Sequence, residues 1–271
     1  MKRLALLVLA GLGGCGTPAP VVLPAKPLRV VSLDYCADQY VLKLLPRSRI
    51  AAVSPYAGAE ESYMRGAARG VPQVRPNAED VLVLRPDLVV RSFGGGADAP
   101  AMFARAGVPV LQLGYAEDLA GVRRMLVETA QGLGEAARGE ALARDLDRRL
   151  AALRRGGGAK NALYVTPGGV TSGPGTLIDA MLTGGGLRNF EARAGWVPLP
   201  LERLAYQHPD VVAAAFFDTR WRAGDPWSAA AHPVAKAGLA RVPHVALSSA
   251  WTSCGGWFLL DAVEALAKAA R

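Results

Sequence analysis

Few places in this 271-residue chain could do covalent chemistry. Three histidines and three cysteines supply too few side chains for a multi-ligand zinc or copper site, and no C-x-x-C pair occurs. An α/β serine hydrolase needs a G-x-S-x-G nucleophile elbow between a strand and a helix, which the sequence lacks. Thr171-Ser172-Gly173-Pro174-Gly175 is glycine-rich but does not end in the Gly-Lys-Ser/Thr with which a P-loop holds phosphates. His208 stands in a His-Pro-Asp turn ahead of a strand, and His232 and His244 have no carboxylate or second histidine at ligand spacing. These residue types point to binding and away from catalysis. No resident cofactor is expected, and any metal should enter already wrapped in an organic chelate.

Two glutamates are singled out by spacing. Glu79 is followed after six residues by Pro86-Asp87-Leu88-Val89-Val90, and Glu202 after six by Pro209-Asp210-Val211-Val212. In each unit the glutamate opens a short helix and a Pro-Asp turn feeds a buried strand, so the two units form an internal repeat. Gln73 and Trp196 each precede their glutamate by six positions and extend it. The plainer alternative is a solvated charge in a helix's first turn, where the helix dipole favours it.

The elements that must hold these residues follow from hydrophobic patterning. Short apolar runs at Leu28–Val31, Ile50–Val53, Leu88–Val90 and Val108–Leu111, then at Ala162–Val165, Val211–Ala215 and His244–Leu247, alternate with helical stretches. That pattern predicts an α/β fold of parallel sheets covered on both faces. With 51% hydrophobic and 20% charged residues, the chain can bury two compact units. Ala116 to Arg155 contains no proline and carries Leu119, Val122, Leu126, Leu142, Leu146, Leu150 and Leu153 at helical spacing. As one helix it would be a beam about 60 Å long joining two lobes, with Gly132 and Gly134 marking a kink or break. The expected organisation is an N-terminal lobe over 28–115, a linker helix over 116–155 and a C-terminal lobe over 156–271.

Residues 1–14 read as a secretory signal: Met1-Lys2-Arg3 is basic, Leu4 to Leu12 is apolar, and Leu12-Gly13-Gly14-Cys15 resembles a bacterial lipobox. Cys15 is then the lipidation site; the alternative is cleavage a few residues later with Cys15 incidental. Thr17 to Pro27 carries four prolines, so 15–27 reads as a flexible tether. Cys36 and Cys254 remain, and in an oxidising compartment they can form a disulfide, lie buried separately, or offer a thiol to a ligand. Formal charge is +8 and falls to +6 when Lys2 and Arg3 are removed with the signal. Arg123-Arg124, Arg148-Arg149 and Arg154-Arg155 form no basic stripe with interleaved aromatics, so nucleic acid is not an expected partner.

Several segments together resemble the periplasmic substrate-binding proteins of ABC importers for cobalamin and ferric siderophores. They are Arg29-Val-Val-Ser-Leu-Asp, the unit Asn77 to Val90, the linker helix, Thr171-Ser-Gly-Pro-Gly, and Leu201-Glu-Arg-Leu with its Pro-Asp. The resemblance runs from about residue 28 to the C-terminus. It implies two Rossmann-like lobes joined by one long rigid α-helix, a ligand cleft between them, and closure through a small angle. It also implies that Glu79 and Glu202 each dock on arginines of one subunit of an ABC permease dimer in the inner membrane. The protein would be periplasmic, held to a membrane through Cys15.

Ligands of parallel sheets sit beyond the carboxyl ends of the strands. Reading forward from each strand, with the repeat's Gln73 and Trp196, gives Tyr35, Tyr56, Gln73, Arg91, Phe93, Trp196, Trp221 and Trp251 as candidate ligand contacts. Each aromatic could instead pack within its own lobe. Aromatic walls suit an iron-siderophore or cobalamin-type chelate, and the positive charge leans toward an anionic siderophore in a mildly cationic cleft. Haem is a further reading, with Tyr35, Tyr56 or Cys254 as axial ligand. An extracytoplasmic hydrolase using the same cleft is the rival class.

Overall fold

The computed structural model describes residues 22–153, 160–218 and 226–271. Cys15 and Trp221 lie outside the described residues. The first lobe runs β1 (Val30–Ser32), α1 (Tyr35–Leu44), β2 (Ile50–Ala52), α2 (Ala78–Val83), β3 (Leu88–Arg91), α3 (Ala99–Arg105) and β4 (Val110–Gln112). Its four strands are all parallel, in the order β2-β1-β3-β4. Val30, Leu88 and Val90 face a central core, while Val31 and Val89 face an outer one with Val81 and Phe103. The strands are therefore apolar on both sides, which is why they read as continuous β-branched runs.

The stretch 116–155 is not one beam. It folds into α4 (Leu119–Gly132) and α5 (Ala136–Leu153), and the glycine break is a full reversal. Arg123 on α4 reaches back to Asp147 on α5 at 2.9 Å, and a Cβ on Gly139 would stand 2.3 Å from that of Ala130, so the two helices touch closely only because position 139 is glycine. Gly134 turns the chain with a positive φ of 71°. Buried Arg49 clamps the turn, donating to the carbonyl of Leu133 at 2.7 Å and pairing with Glu135, while its Nε reaches the carbonyl of Pro27. The last residue of the expected tether is thus packed into the first lobe. Among the described residues the chain crosses toward the second lobe along α5, about 27 Å long at 1.5 Å per residue.

The second lobe comprises β5 (Asn161–Val165), β6 (Val170–Ser172), α6 (Leu177–Gly184), β7 (Arg188–Asn189), β8 (Trp196–Pro198), α7 (Leu201–Leu204) and β9 (Val211–Ala215). It ends with α8 (Pro233–Leu239), β10 (His244–Leu247), α9 (Ser249–Thr252) and α10 (Leu259–Ala270). A parallel sheet in the order β10-β9-β5-β7 repeats the plan of the first lobe, and a short antiparallel pair, β6 with β8, is added to it.

The lobes are joined along one seam beside α1. Cys36 at its start forms a disulfide with Cys254, 218 positions away in the other lobe. Tyr40 donates to the Gly255 carbonyl at 3.0 Å, and Tyr63 donates to Asp261 at 2.8 Å while stacking on Phe258. From α5, Arg149 pairs with Asp261 and Glu264 on α10. The central core continues through this seam, so helices α1, α4, α5, α6 and α10 share one hydrophobic interior.

Candidate functional site

Between the lobes lie two chambers, of about 600 and about 390 Å³, that share Tyr35, Phe93, Phe216 and Ser253 as walls. Their geometry starts at Asp34. This buried carboxylate caps α1 by accepting from Ala37 N, and its other oxygen accepts from three successive amides, Ser92, Phe93 and Gly94, at 2.7, 3.0 and 2.9 Å. The amide nest beyond β3, of a kind that elsewhere binds anions, is therefore filled from within. Gly94 is required there: a Cβ would fall 2.4 Å from the carbonyl oxygen of Leu33. Phe93 is thereby fixed over the cleft, edge-on to Tyr35 with ring centroids 5.6 Å apart.

Asp38 lies one turn further along α1 and fully buried. It accepts from Ser54 N and, at 2.6 Å, from Ser54 Oγ, and that hydroxyl in turn accepts from Tyr56 N. Burial pushes the Asp38 carboxyl up to about 6, against the opposing hydrogen bonds from serine. The chain of bonds from Asp38 through Ser54 sets the backbone that carries Tyr56, which projects into the larger chamber 56% exposed. Burial raises the Tyr35 phenol above its ordinary value, with Glu61 and Asp34 adding to the shift.

On the opposite wall, Trp196 on β8 is edge-on to Tyr164 of β5 at 6.1 Å. Both line the smaller chamber with Tyr115, Phe216 and the Cys36–Cys254 bridge. Burial holds the Tyr164 phenol high, offset in part by Thr252, although no hydrogen bond within 3.5 Å reaches its hydroxyl. Phe216, just beyond β9, has a φ of +64°, a region that side chains other than glycine rarely occupy, and this turns its ring into both chambers.

The structure thus brings Tyr35, Tyr56, Phe93 and Trp196 together in the cleft. Gln73 is elsewhere: its backbone pairs with Val53, and it lines a shallow depression with Arg65 and Arg69. Arg91 is buried at the end of β3 with its Nε unpaired, and lines neither chamber. Trp251 packs on the central core, because the turn of α9 that carries it faces inward. Cys254 is committed to the disulfide and has no thiolate to offer a metal. Sequence reasoning missed Tyr115, Tyr164, Phe216, Glu60 and Glu61. Tyr115 could have been found by reading forward from β4, as was done for the other strands. Among the described lining residues of the two chambers the charged ones are Glu60 and Glu61.

Two parallel-sheet lobes, a single crossing helix and an aromatic cleft between them define a bilobal solute-binding protein. The chain belongs to the periplasmic binding protein family, whose profile matches residues 30–221. No curated protein sequence matches it. Among solved structures it is similar to a periplasmic heme binding protein from Pseudomonas aeruginosa, at 27% identity and a TM-score of 0.68, over 90% of this chain and 92% of that one. It is similar also to the periplasmic heme-binding protein BhuT in complex with two hemes, at 26% identity and a TM-score of 0.67, over 91% and 100%. The periplasmic vitamin B12 binding protein BtuF of Vibrio cholerae shares the fold at 18% identity and a TM-score of 0.65, over 90% and 97%.

Proposed function

We propose that this chain is the periplasmic substrate-binding component of an ABC importer and that it captures a metal tetrapyrrole, haem or a corrinoid. The observation that carries this reading is the pair of facing aromatic walls, Tyr35, Tyr56 and Phe93 from one lobe and Tyr164, Trp196 and Phe216 from the other. Flat rings on both sides suit a large, rigid, largely apolar disc better than a small polar metabolite. The two similar structures above 25% identity hold or are named for haem, and Tyr56 offers an exposed phenol in the larger chamber. A corrinoid is the second reading, favoured by Glu60 and Glu61, which disfavour carboxylate arms at that rim. The same charges count against an anionic ferric siderophore. Metal enters within the cargo, no covalent chemistry is done on it, and the loaded protein is delivered to a permease dimer on which Glu79 and Glu202 dock. Cys15 would hold the protein to the membrane by acyl chains.

Tryptophan fluorescence of the purified protein, titrated with hemin, cyanocobalamin and a ferric catecholate, tests the reading. Saturable quenching by one tetrapyrrole with the ligand recovered intact is expected. Quenching by neither, or appearance of a cleavage product, overturns it, the latter in favour of a hydrolase.

A further inference from the structure

Tyr164 is completely buried, yet among the described residues nothing bonds its hydroxyl. The residue lies near the carboxyl end of β5 and faces the central core, with the small Ala162 on the same face and Ala213 opposite it on β9. Its side chain borders the smaller chamber, so the unbonded hydroxyl belongs to a cavity wall. A buried hydroxyl without a partner destabilises the fold, and a bound acceptor relieves that penalty.

Two neighbouring hydroxyls of that wall are already engaged. Thr252 Oγ1 donates to the Ser248 carbonyl at 3.4 Å, and Ser253 Oγ donates to the Ser249 carbonyl at 2.6 Å. Burial holds the Tyr164 phenol above its ordinary value, so it stays protonated and remains a donor. The rest of the wall sets the shape of what can accept from it. Trp196 stands edge-on to Tyr164, and Met125, Ile178 and Leu259 close the chamber with apolar surface. The described charged lining residues, Glu60 and Glu61, border the larger chamber. At about 390 Å³ the smaller one lies toward the lower end of the range for ligand pockets.

We propose that the smaller chamber is a binding subsite of its own, for an uncharged aromatic ring that carries one hydrogen-bond acceptor. The Tyr164 hydroxyl donates to that acceptor, and Trp196 covers the ring. An aromatic group gains from the ring edges and faces of this wall, whereas an ion would give up its hydration against the apolar surface of Met125, Ile178 and Leu259. The ring is either a free small molecule or a group carried by a larger cargo. The subsite rests on the reading of the cleft as a solute site, and not on which chelate the larger chamber takes.

The test titrates the purified protein, by ligand-observed NMR, with 1-indanone, a neutral ring system with one carbonyl, and with indane, which lacks it. The wild type should bind 1-indanone about fivefold more tightly than indane, and Tyr164→Phe should remove that advantage while leaving indane binding unchanged. Because the deleted hydroxyl has no partner, Tyr164→Phe should melt no lower than the wild type. Equal affinity of the two probes for the wild type, or 1-indanone binding that Tyr164→Phe does not weaken, overturns the proposal. A variant that melts lower overturns it too, since the hydroxyl would then already be bonded without ligand. Repeating the titration with hemin or cyanocobalamin bound separates the two sources, and either result upholds the subsite: 1-indanone that still binds assigns the chamber to a free molecule, and displacement assigns it to a ring on the cargo. Failure of both chelates to bind overturns the chelate reading and leaves the comparison of the two probes intact.

Discussion

Replacing Cys36 and Cys254 together by serine removes the disulfide that cross-links the lobes. The bridge closes a loop of 218 positions, so in the unfolded chain it forbids most of the conformations that a linear chain explores. Loop-closure entropy for that length amounts to about 5 kcal/mol at 25 °C. A domain of this size changes its midpoint by roughly 2 °C per kcal/mol, so the double variant should melt about 10 °C below the oxidised protein. The native contacts of the seam remain in the variant, including Tyr40 to Gly255, Tyr63 to Asp261, and Arg149 to Asp261 and Glu264, so its folded spectrum should not change. Scanning calorimetry of the oxidised protein, the dithiothreitol-reduced protein and the double serine variant makes the comparison, and the last two should coincide. A fall of less than about 3 °C would refute the reasoning, because the unfolded chain would then not be the state that the bridge acts on.

Three further outcomes follow from the site. The folded Asp38 carboxyl is raised above its unfolded value, so its contribution to stability is full below about pH 4 and is lost as pH rises through about 6. Asp38→Asn keeps an acceptor for Ser54 N and should melt above the wild type at pH 7.5 but not at pH 4, by up to about 3 kcal/mol for a shift of about two units; equal midpoints at pH 7.5 would count against it. Asp34→Ala strips three amides of their acceptor and frees Phe93, so it should cost about 2–4 kcal/mol of stability and weaken chelate binding at least tenfold, read by chemical denaturation and fluorescence titration. Glu79→Ala with Glu202→Ala should abolish uptake and leave chelate affinity unchanged; lost affinity would place those carboxylates in the cleft.

The parallel strands were legible as short continuous runs rich in valine, leucine and alanine, and β9 and β10 fall on their expected bounds. The pair β6 with β8 was not, since three residues each carry no measurable period. Gly132 and Gly134 announced a break in the linker, but only the contact of Gly139 with Ala130 and the clamp of Arg49 decide that the chain reverses there. Within the site, Tyr35, Tyr56, Phe93 and Trp196 lie where strand ends and the repeat direct them. Gln73 shows the limit of that repeat, for matched spacing fixes a backbone place and leaves the surrounding loop to choose which hollow the side chain meets. Tyr164 is mid-strand and indistinguishable in sequence from core, and Glu60 and Glu61 sit in an irregular loop where net composition says nothing of local sign.

The Asp34 carboxylate has a consequence for selectivity. Tied to the chain, it meets the three amides at an effective concentration that no freely diffusing phosphate or carboxylate metabolite approaches, and so acts as a permanent intramolecular competitor. A compartment crowded with small anions then leaves this sheet edge silent, and discrimination passes to the shape and aromatic surface of the cargo.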